Sequence, residues 1–130
     1  MAFNLEEKFI LQAETELEAN LPENYKASMQ QNNGGEIKIS EDIWEQYPIF
    51  DNSDRKRISR TCNHIIVETK SCEGFGNFPL NAVAIAGNGC GDQLILLKEN
   101  TNYGNTIYLW SHETGEVDKV ANDFNELTCL

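Results

Sequence analysis

The run from Gly87 to Asp92 separates two apolar segments and constrains the fold more than any other feature of this sequence. Three of its six residues, Gly87, Gly89 and Gly91, are glycines, which adopt backbone conformations that a side chain forbids. The flanking apolar segments, residues 82–86 and 93–97, have the length of strands buried on both faces. The sequence therefore predicts a tight hairpin at the centre of a sheet, with Asp92 accepting backbone hydrogen bonds in the turn.

Hydrophobic spacing predicts two helices in the first third of the chain. The first is indicated by apolar residues at intervals of four, namely Leu5, Phe9, Ala13 and Leu17. We expect Asn4 and Glu7 to form its capping box. A short second helix is expected to begin at Pro22, to carry Tyr25 on its apolar face and to end before Gly34 and Gly35.

The middle of the chain mixes strand and helix signals. Residues 36–39 alternate as an edge strand does, and residues 40–47 are expected to form a helical turn that Pro48 ends. Capping residues at positions 51–54 predict a further helix that runs to about Thr69.

The last third predicts strands and a closing helix. Residues 106–110 alternate, which places Ile107 and Leu109 on one face and Tyr108 and Trp110 on the other, as the third strand of a meander. A helix is expected to follow, with Asp118 as its cap and with Val120, Phe124 and Leu127 on its apolar face. The expected fold is a single α+β domain over residues 1–130, in which helices pack on an antiparallel sheet.

The charge is strongly acidic and unevenly distributed. The net charge is −11, and only residues 51–70 are basic, at +2, against −7 before them and −6 after them. Nucleic acid and anionic membranes are therefore poor partners, whereas a basic protein surface suits this chain. The alternative is that the acidity only keeps the domain soluble.

The spacing of the cysteines and the absence of a targeting segment indicate which chemistry and which compartment to expect. Four cysteines, Cys62, Cys72, Cys90 and Cys129, lie too far apart in sequence for a zinc ribbon or a redox motif, so we expect no metal and reduced thiols. Cys62 and Cys90 are the two expected in the interior. Because the sequence shows neither a signal peptide nor an apolar run long enough to span a bilayer, we expect a cytoplasmic protein.

No motif for catalysis or for a cofactor is found. The glycine run lacks the last glycine of a dinucleotide fingerprint and the lysine of a phosphate-binding loop, and a strand rather than a helix follows it. His112 can be drawn as a base beside Cys72, Cys90 or Ser111, but no spacing brings them together. We therefore expect no enzyme, no cofactor and no catalytic residue, and an enzyme that uses Cys90 or His112 is the weaker alternative.

A basic cluster opens the predicted helix after residue 54. Its members are Arg55, Lys56, Arg57 and Arg60. The dipole of a helix disfavours cations at its N-terminal end, so these side chains need acidic neighbours. Pairing with the protein's own carboxylates is expected, and an anion site is the alternative.

Four stretches together resemble the SUKH superfamily, which contains immunity proteins of bacterial toxin systems and eukaryotic regulators of cell-wall synthesis. They are residues 21–25 leading into residues 33–35, residues 84–92, residues 107–113 and residues 120–124. The structural signature lies at Pro22, Tyr25, Gly34, Gly35, Gly87, Gly89, Gly91, Asp92 and Trp110. The resemblance implies an α+β fold and a function in binding, without catalytic residues.

The resemblance and the charge together predict an immunity protein that blocks a cognate toxin, a basic nuclease domain encoded nearby. A nuclease must carry basic residues to hold its substrate, so an acidic inhibitor can compete for the same surface. The expected contact residues are the acids Glu41, Asp42, Glu45 and Asp51, with Trp44 and Tyr47 as aromatic anchors. An intracellular scaffold, like the eukaryotic relatives, is the alternative from another class.

Overall fold

The computed structural model describes residues 3–130 and contains four α-helices and eight strands in that range. The helices are α1 (Glu7–Leu17), α2 (Glu23–Gln31), α3 (Arg55–Arg60) and α4 (Ile65–Glu73). The strands are β1 (Gly35–Ile39), β2 (Asp42–Gln46), β3 (Ala82–Gly87), β4 (Gln93–Glu99), β5 (Asn102–Tyr103), β6 (Ile107–Trp110), β7 (Val117–Ala121) and β8 (Thr128–Cys129). A 3-10 helix, Phe124–Glu126, lies between β7 and β8.

The strands form one antiparallel sheet in the order β7-β6-β4-β3-β2-β1-β8, and β5 pairs with β4 outside this path. The predicted α+β fold is therefore confirmed, as is the meander of β3, β4 and β6 around the glycine turn. β1 was expected at an edge, but β8 pairs with it at Ile37 and Lys38 and takes the outer position.

The core has two parts because the central strands are buried on both faces. On one face, Val83 and Ile85 of β3 cluster with Phe9 of α1 and Tyr25 of α2. On the other face, Ala84 clusters with side chains that include Cys72, Phe78, Ile95 and Trp110. The alternation predicted for β6 is confirmed: Ile107 and Leu109 belong to the first cluster, and Tyr108 and Trp110 to the second.

The helical turn expected at residues 40–47 is wrong, because these residues form most of a hairpin. Ile39 lies opposite Asp42, so Ser40 and Glu41 make a two-residue turn, and Ser40 adopts the positive φ of +56° that such turns require. Trp44 lies opposite Ile37 in the core. Pairing with β1 and β3 decides the conformation of this short segment, which its own sequence leaves ambiguous.

The single helix expected to reach Thr69 is interrupted, and α3 and α4 are separate. The Thr61 hydroxyl donates to the Arg57 carbonyl at 2.8 Å and accepts from the Asp51 amide at 3.0 Å, which ties the end of α3 to the preceding loop. His64 then caps α4. Within α4, the Thr69 hydroxyl accepts from the Ala84 amide at 2.8 Å, so the helix is bound to the sheet where β2 has left β3.

The expected C-terminal helix is also wrong. Residues 117–121 pair with β6, and only the short 3-10 helix follows, with Asp123 rather than Asp118 accepting the capping bond. Tertiary pairing with β6 prevails over the helical spacing of the apolar residues in this segment.

At the N-terminal end of the chain, α1 is capped at Glu6 without a side-chain hydrogen bond, so the capping box of Asn4 and Glu7 is not formed.

Three of the four cysteines are exposed, and one is buried. Cys62 and Cys90, expected in the interior, are exposed because they lie in the α3–α4 loop and in the glycine turn. Cys72, on α4, is the buried one, and burial raises the pKa of its thiol to about 11. All four are free thiols, as predicted.

Candidate protein-binding surface

The expected contact residues occupy two different environments around β2. Glu41, Asp42 and Glu45 are exposed on the β1–β2 hairpin, whereas Trp44 and Asp51 are each only 2% exposed. Trp44 therefore packs in the core. The expectation that Asp51 is an exposed acid is wrong.

Asp51 is buried because its carboxylate organises the loop before α3. It accepts hydrogen bonds from the Ser53 amide at 2.9 Å and the Ser53 hydroxyl at 2.7 Å, and it lies 3.5 Å from Nε of Arg57. A buried carboxylate is retained in proteins when it is paired and hydrogen-bonded in this way. Asp51 thus orders this loop, and its carboxylate is already occupied by partners within the chain.

Tyr47, directly after β2, is half-buried, and its hydroxyl already has a hydrogen-bond partner. The hydroxyl donates to Oε1 of Gln93 at 2.8 Å, and burial is the main reason that the pKa of Tyr47 rises to about 12. The bare Cα of Gly87 lies directly against this hydroxyl, where a side chain would collide with it. Glycine is therefore required at position 87 by close packing and not by its backbone conformation, since φ is not positive there.

The other two turn glycines do adopt positive φ, of +83° for Gly89 and +104° for Gly91. Asp92 accepts a backbone hydrogen bond, but from outside the turn: one carboxylate oxygen accepts from the His112 amide at 3.2 Å and lies 2.7 Å from Nδ1 of His112. Partial burial favours a higher pKa for Asp92, but the bonds from His112 and Asn88 outweigh it and lower the pKa.

The geometry gives no support to a nucleophile beside His112. Within residues 3–130, no hydrogen bond joins His112 to Cys72, Cys90 or Ser111. Cys72 is buried and its high pKa keeps it protonated near neutral pH, which is the opposite of an activated thiol. The His112 ring is instead part of the brace of the glycine turn.

The basic cluster at α3 pairs internally, which confirms the expectation for Arg57. Nη1 of Arg57 lies 2.7 Å from Asp54, and the hydrogen bond from the Arg57 amide, together with this side-chain pairing, lowers the pKa of Asp54. The ring of Phe3 lies beneath the cations, with its centroid 4.5 Å from the Arg57 guanidinium and 5.8 Å from Nζ of Lys56. Arg60 stands over the same ring at 5.7 Å.

The β1–β2 hairpin extends past the end of β3. β3 meets β2 only at Glu45 and Gln46, so the part of β2 nearer the turn has no strand on that side. Ile43, in this part, is 44% exposed; the acid Glu41 lies in the turn and Asp42 directly follows it. The hairpin thus presents an apolar side chain among carboxylates, an arrangement that suits a partner of opposite charge.

One residue that the sequence did not single out contributes to this surface. Glu36 of β1 lies directly opposite Glu45 of β2 and both are exposed, whereas Gln46, the next residue of β2, is buried on the other face. The sequence alone does not indicate this contact, because residues 40–47 fit a helical turn as well as a strand. Once the hairpin register is known, the facing pair follows from the alternation of side chains along a strand.

Comparison with known proteins complements the geometry. No helix of residues 3–130 is long and apolar enough to cross a membrane, and no group of three or more metal-ligating side chains is found in that range. The family model described as the SMI1 / KNR4 family (SUKH-1) matches residues 4–128. A search of curated proteins finds no match.

Proposed function

This chain belongs to the SMI1 / KNR4 family (SUKH-1), and we propose that it is an immunity protein, which binds a cognate toxin domain and blocks it by direct contact. The family match covers nearly the whole chain, and family membership supports a role in binding a partner rather than in catalysis. That the partner is a toxin is the more specific part of this proposal.

The acidity of the surface is the observation that supports a basic toxin domain as the partner. With a net charge of −11 and with exposed carboxylates at Glu41, Asp42 and Glu45, the protein is complementary to a basic domain. A nuclease domain is basic where it holds phosphate. An inhibitor that occupies that surface excludes the nucleic acid, and it must act in the cytoplasm, where the nuclease meets its substrate.

The proposed contact residues are the three exposed acids of the hairpin, with Ile43 between them. Trp44 supports this surface from the core, and Tyr47, directly after β2, is held by its bond to Gln93. Electrostatic attraction accelerates the encounter, and apolar contacts supply more of the lasting affinity.

Co-expression with the toxin domain encoded next to this chain tests the proposal. We expect the two proteins to co-purify and the growth of cells that express the toxin to be restored. A toxin domain from an unrelated system serves as the control, and it should neither co-purify nor be neutralised. Loss of protection against the adjacent toxin would contradict the proposal.

A regulatory scaffold is the second candidate, because the superfamily that this chain resembles also contains eukaryotic regulators of cell-wall synthesis. The two candidates differ in the partner that they bind. A scaffold binds a host protein in cells that contain no toxin gene, whereas an immunity protein has its main partner in the toxin.

A further inference from the structure

A cavity lies between the base of the β1–β2 hairpin and α3. It has a volume of about 240 Å³, and Gly35 and Glu45 line it from the hairpin. Arg57 and Arg60 line it from α3, and Phe3 lines it as well. We name it the α3 cavity. An acidic and a basic segment of the chain therefore meet at one cavity, beside the surface that is proposed to bind the toxin.

Three cations of α3 are gathered around the ring of Phe3. The Arg57 guanidinium lies 4.5 Å from the ring centroid, the Arg60 guanidinium 5.7 Å and Nζ of Lys56 5.8 Å. The face of an aromatic ring attracts cations, so the ring holds these side chains together. Lys56 and Arg60 are four residues apart on one helix, where like charges repel each other. An anion beside these side chains would relieve the repulsion.

The carboxylates of the chain neutralise only part of this cluster. Asp51 and Asp54 both pair with Arg57. Lys56 is exposed and has no ion pair with any of residues 3–130, and the first turn of α3 contains no acidic residue. The segment thus keeps a local positive charge in a chain whose net charge is −11, and a local field of this sign favours an anion.

We propose that the α3 cavity receives a carboxylate side chain of the protein partner. The proposal rests on the proposed function and adds a requirement for the toxin, which must carry an acidic residue at one place in its basic surface. Guanidinium groups, which Arg57 and Arg60 present to the cavity, pair with carboxylates through two parallel hydrogen bonds. Nucleic acid is a poorer occupant, because the acidic remainder of the chain repels a polyanion.

This arrangement gives the interface a means of choosing among basic partners. A basic domain that has an acid at the matching place satisfies both the hairpin and α3. A basic domain without that acid brings its own cations against Lys56 and Arg60, and like charges across an interface disfavour the wrong partner.

The rates of association and dissociation with the toxin domain encoded next to this chain test the proposal by the sign of the effect. The variant Lys56→Gln with Arg60→Gln makes the protein more acidic, which by itself accelerates encounter with a basic partner. The proposal predicts instead that the complex dissociates about five- to twentyfold faster, since each exposed ion pair is worth about two- to fivefold. Lys56→Gln alone should show the same effect at about two- to fivefold.

The matched control is Lys70→Gln with Lys119→Gln. It removes two exposed cations from α4 and β7, away from the cavity, and changes the net charge equally. We expect it to leave dissociation unchanged and to leave association equally fast or faster. Urea unfolding of all variants shows whether a change in binding reflects a change in stability.

A second measurement uses a defined probe and no toxin. The tripeptide acetyl-Gly-Glu-Gly-amide is titrated into the labelled full chain, and amide shifts are followed by two-dimensional NMR. We expect saturable shifts at the amides of Arg60, Thr61 and Asn63, which line the cavity. The same peptide with glutamine, which is neutral and of nearly the same shape, should produce none of them, and the variant Lys56→Gln with Arg60→Gln should lose them.

Three results would overturn the proposal. They are equal shifts with the glutamine peptide, shifts that persist in the α3 variant, and dissociation of the toxin that is unchanged or slower in that variant. A wild-type protein that does not bind the toxin at all would contradict the immunity function. The peptide titration would still decide whether the α3 cavity binds a carboxylate, so the two failures are distinguishable.

Discussion

The contact between Gly87 and Tyr47 predicts an unusual response to a small substitution. Gly87→Ala adds one methyl group inside a strand, at a position without positive φ. In an unobstructed strand this change is favourable by about 0.5–1 kcal/mol, because glycine loses more conformational freedom on folding. Here the added Cβ would collide with the Tyr47 hydroxyl, and the ring carbon that bears this hydroxyl would lie 3.2 Å away.

The expected net effect is a destabilisation of about 1–3 kcal/mol, the usual cost of overpacking a well-packed site. Part of it is the hydrogen bond from Tyr47 to Gln93, which is worth about 1 kcal/mol and is lost when the ring moves. Tyr47→Phe removes the colliding atom. In that background Gly87→Ala should cost at least 1 kcal/mol less, and this coupling exceeds the scatter of about 0.5 kcal/mol seen for independent sites.

Urea unfolding followed by tryptophan fluorescence measures the four free energies, since Trp44 and Trp110 are both buried. Gly104→Ala is the matched control, because a Cβ there would meet only the Leu97 carbonyl, at an ordinary 3.8 Å. Additive effects of Gly87→Ala and Tyr47→Phe would refute the packing argument, as would a stabilising Gly87→Ala in the wild-type background.

Three further predictions concern buried charge, pH and catalysis. Asp51→Asn should lower the free energy of unfolding by about 1–3 kcal/mol, because it weakens charged hydrogen bonds to a group that is 2% exposed; urea unfolding measures it, and no change would contradict the account. The folded-state pKa of Asp92 is lowered, so its stabilisation is present above the unfolded value and is lost as the pH falls through the folded value. The destabilisation caused by Asp92→Asn should therefore shrink below about pH 4, and a difference that grows there would be contrary to this sign. Cys90→Ala and His112→Ala should keep full protection against the toxin in a growth assay, whereas loss of protection by stably folded variants would revive catalysis.

The sequence predicts the centre of the sheet well because local signals agree there. Three glycines, two apolar segments and the alternation of residues 107–110 all specify a meander, and the structure contains it. The hairpin of β1 and β2 could not be predicted, because Ile43 and Trp44 fit either a helical turn or a strand. Their pairing with Ile37 and Lys38 is a contact that local pattern does not encode.

The candidate surface was predicted in part, for a related reason. The exposed acids of the hairpin follow from composition, but the burial of Asp51 depends on Ser53 and Arg57 meeting it in space. The facing pair of Glu36 and Glu45 depends in turn on the register. Charge can be counted from sequence, whereas the partner of each charge requires the fold.

Association kinetics with the neutralised toxin test the central claim most directly. The variant Glu41→Lys, Asp42→Lys and Glu45→Lys is compared with Glu113→Lys, Glu116→Lys and Asp118→Lys, which change the net charge equally at exposed positions elsewhere. The account predicts that the hairpin variant associates about tenfold or more slowly at low salt, with a flatter salt dependence, while the control changes much less. Equal slowing of both variants, or unchanged association of the hairpin variant, would contradict the claim that this hairpin binds the partner.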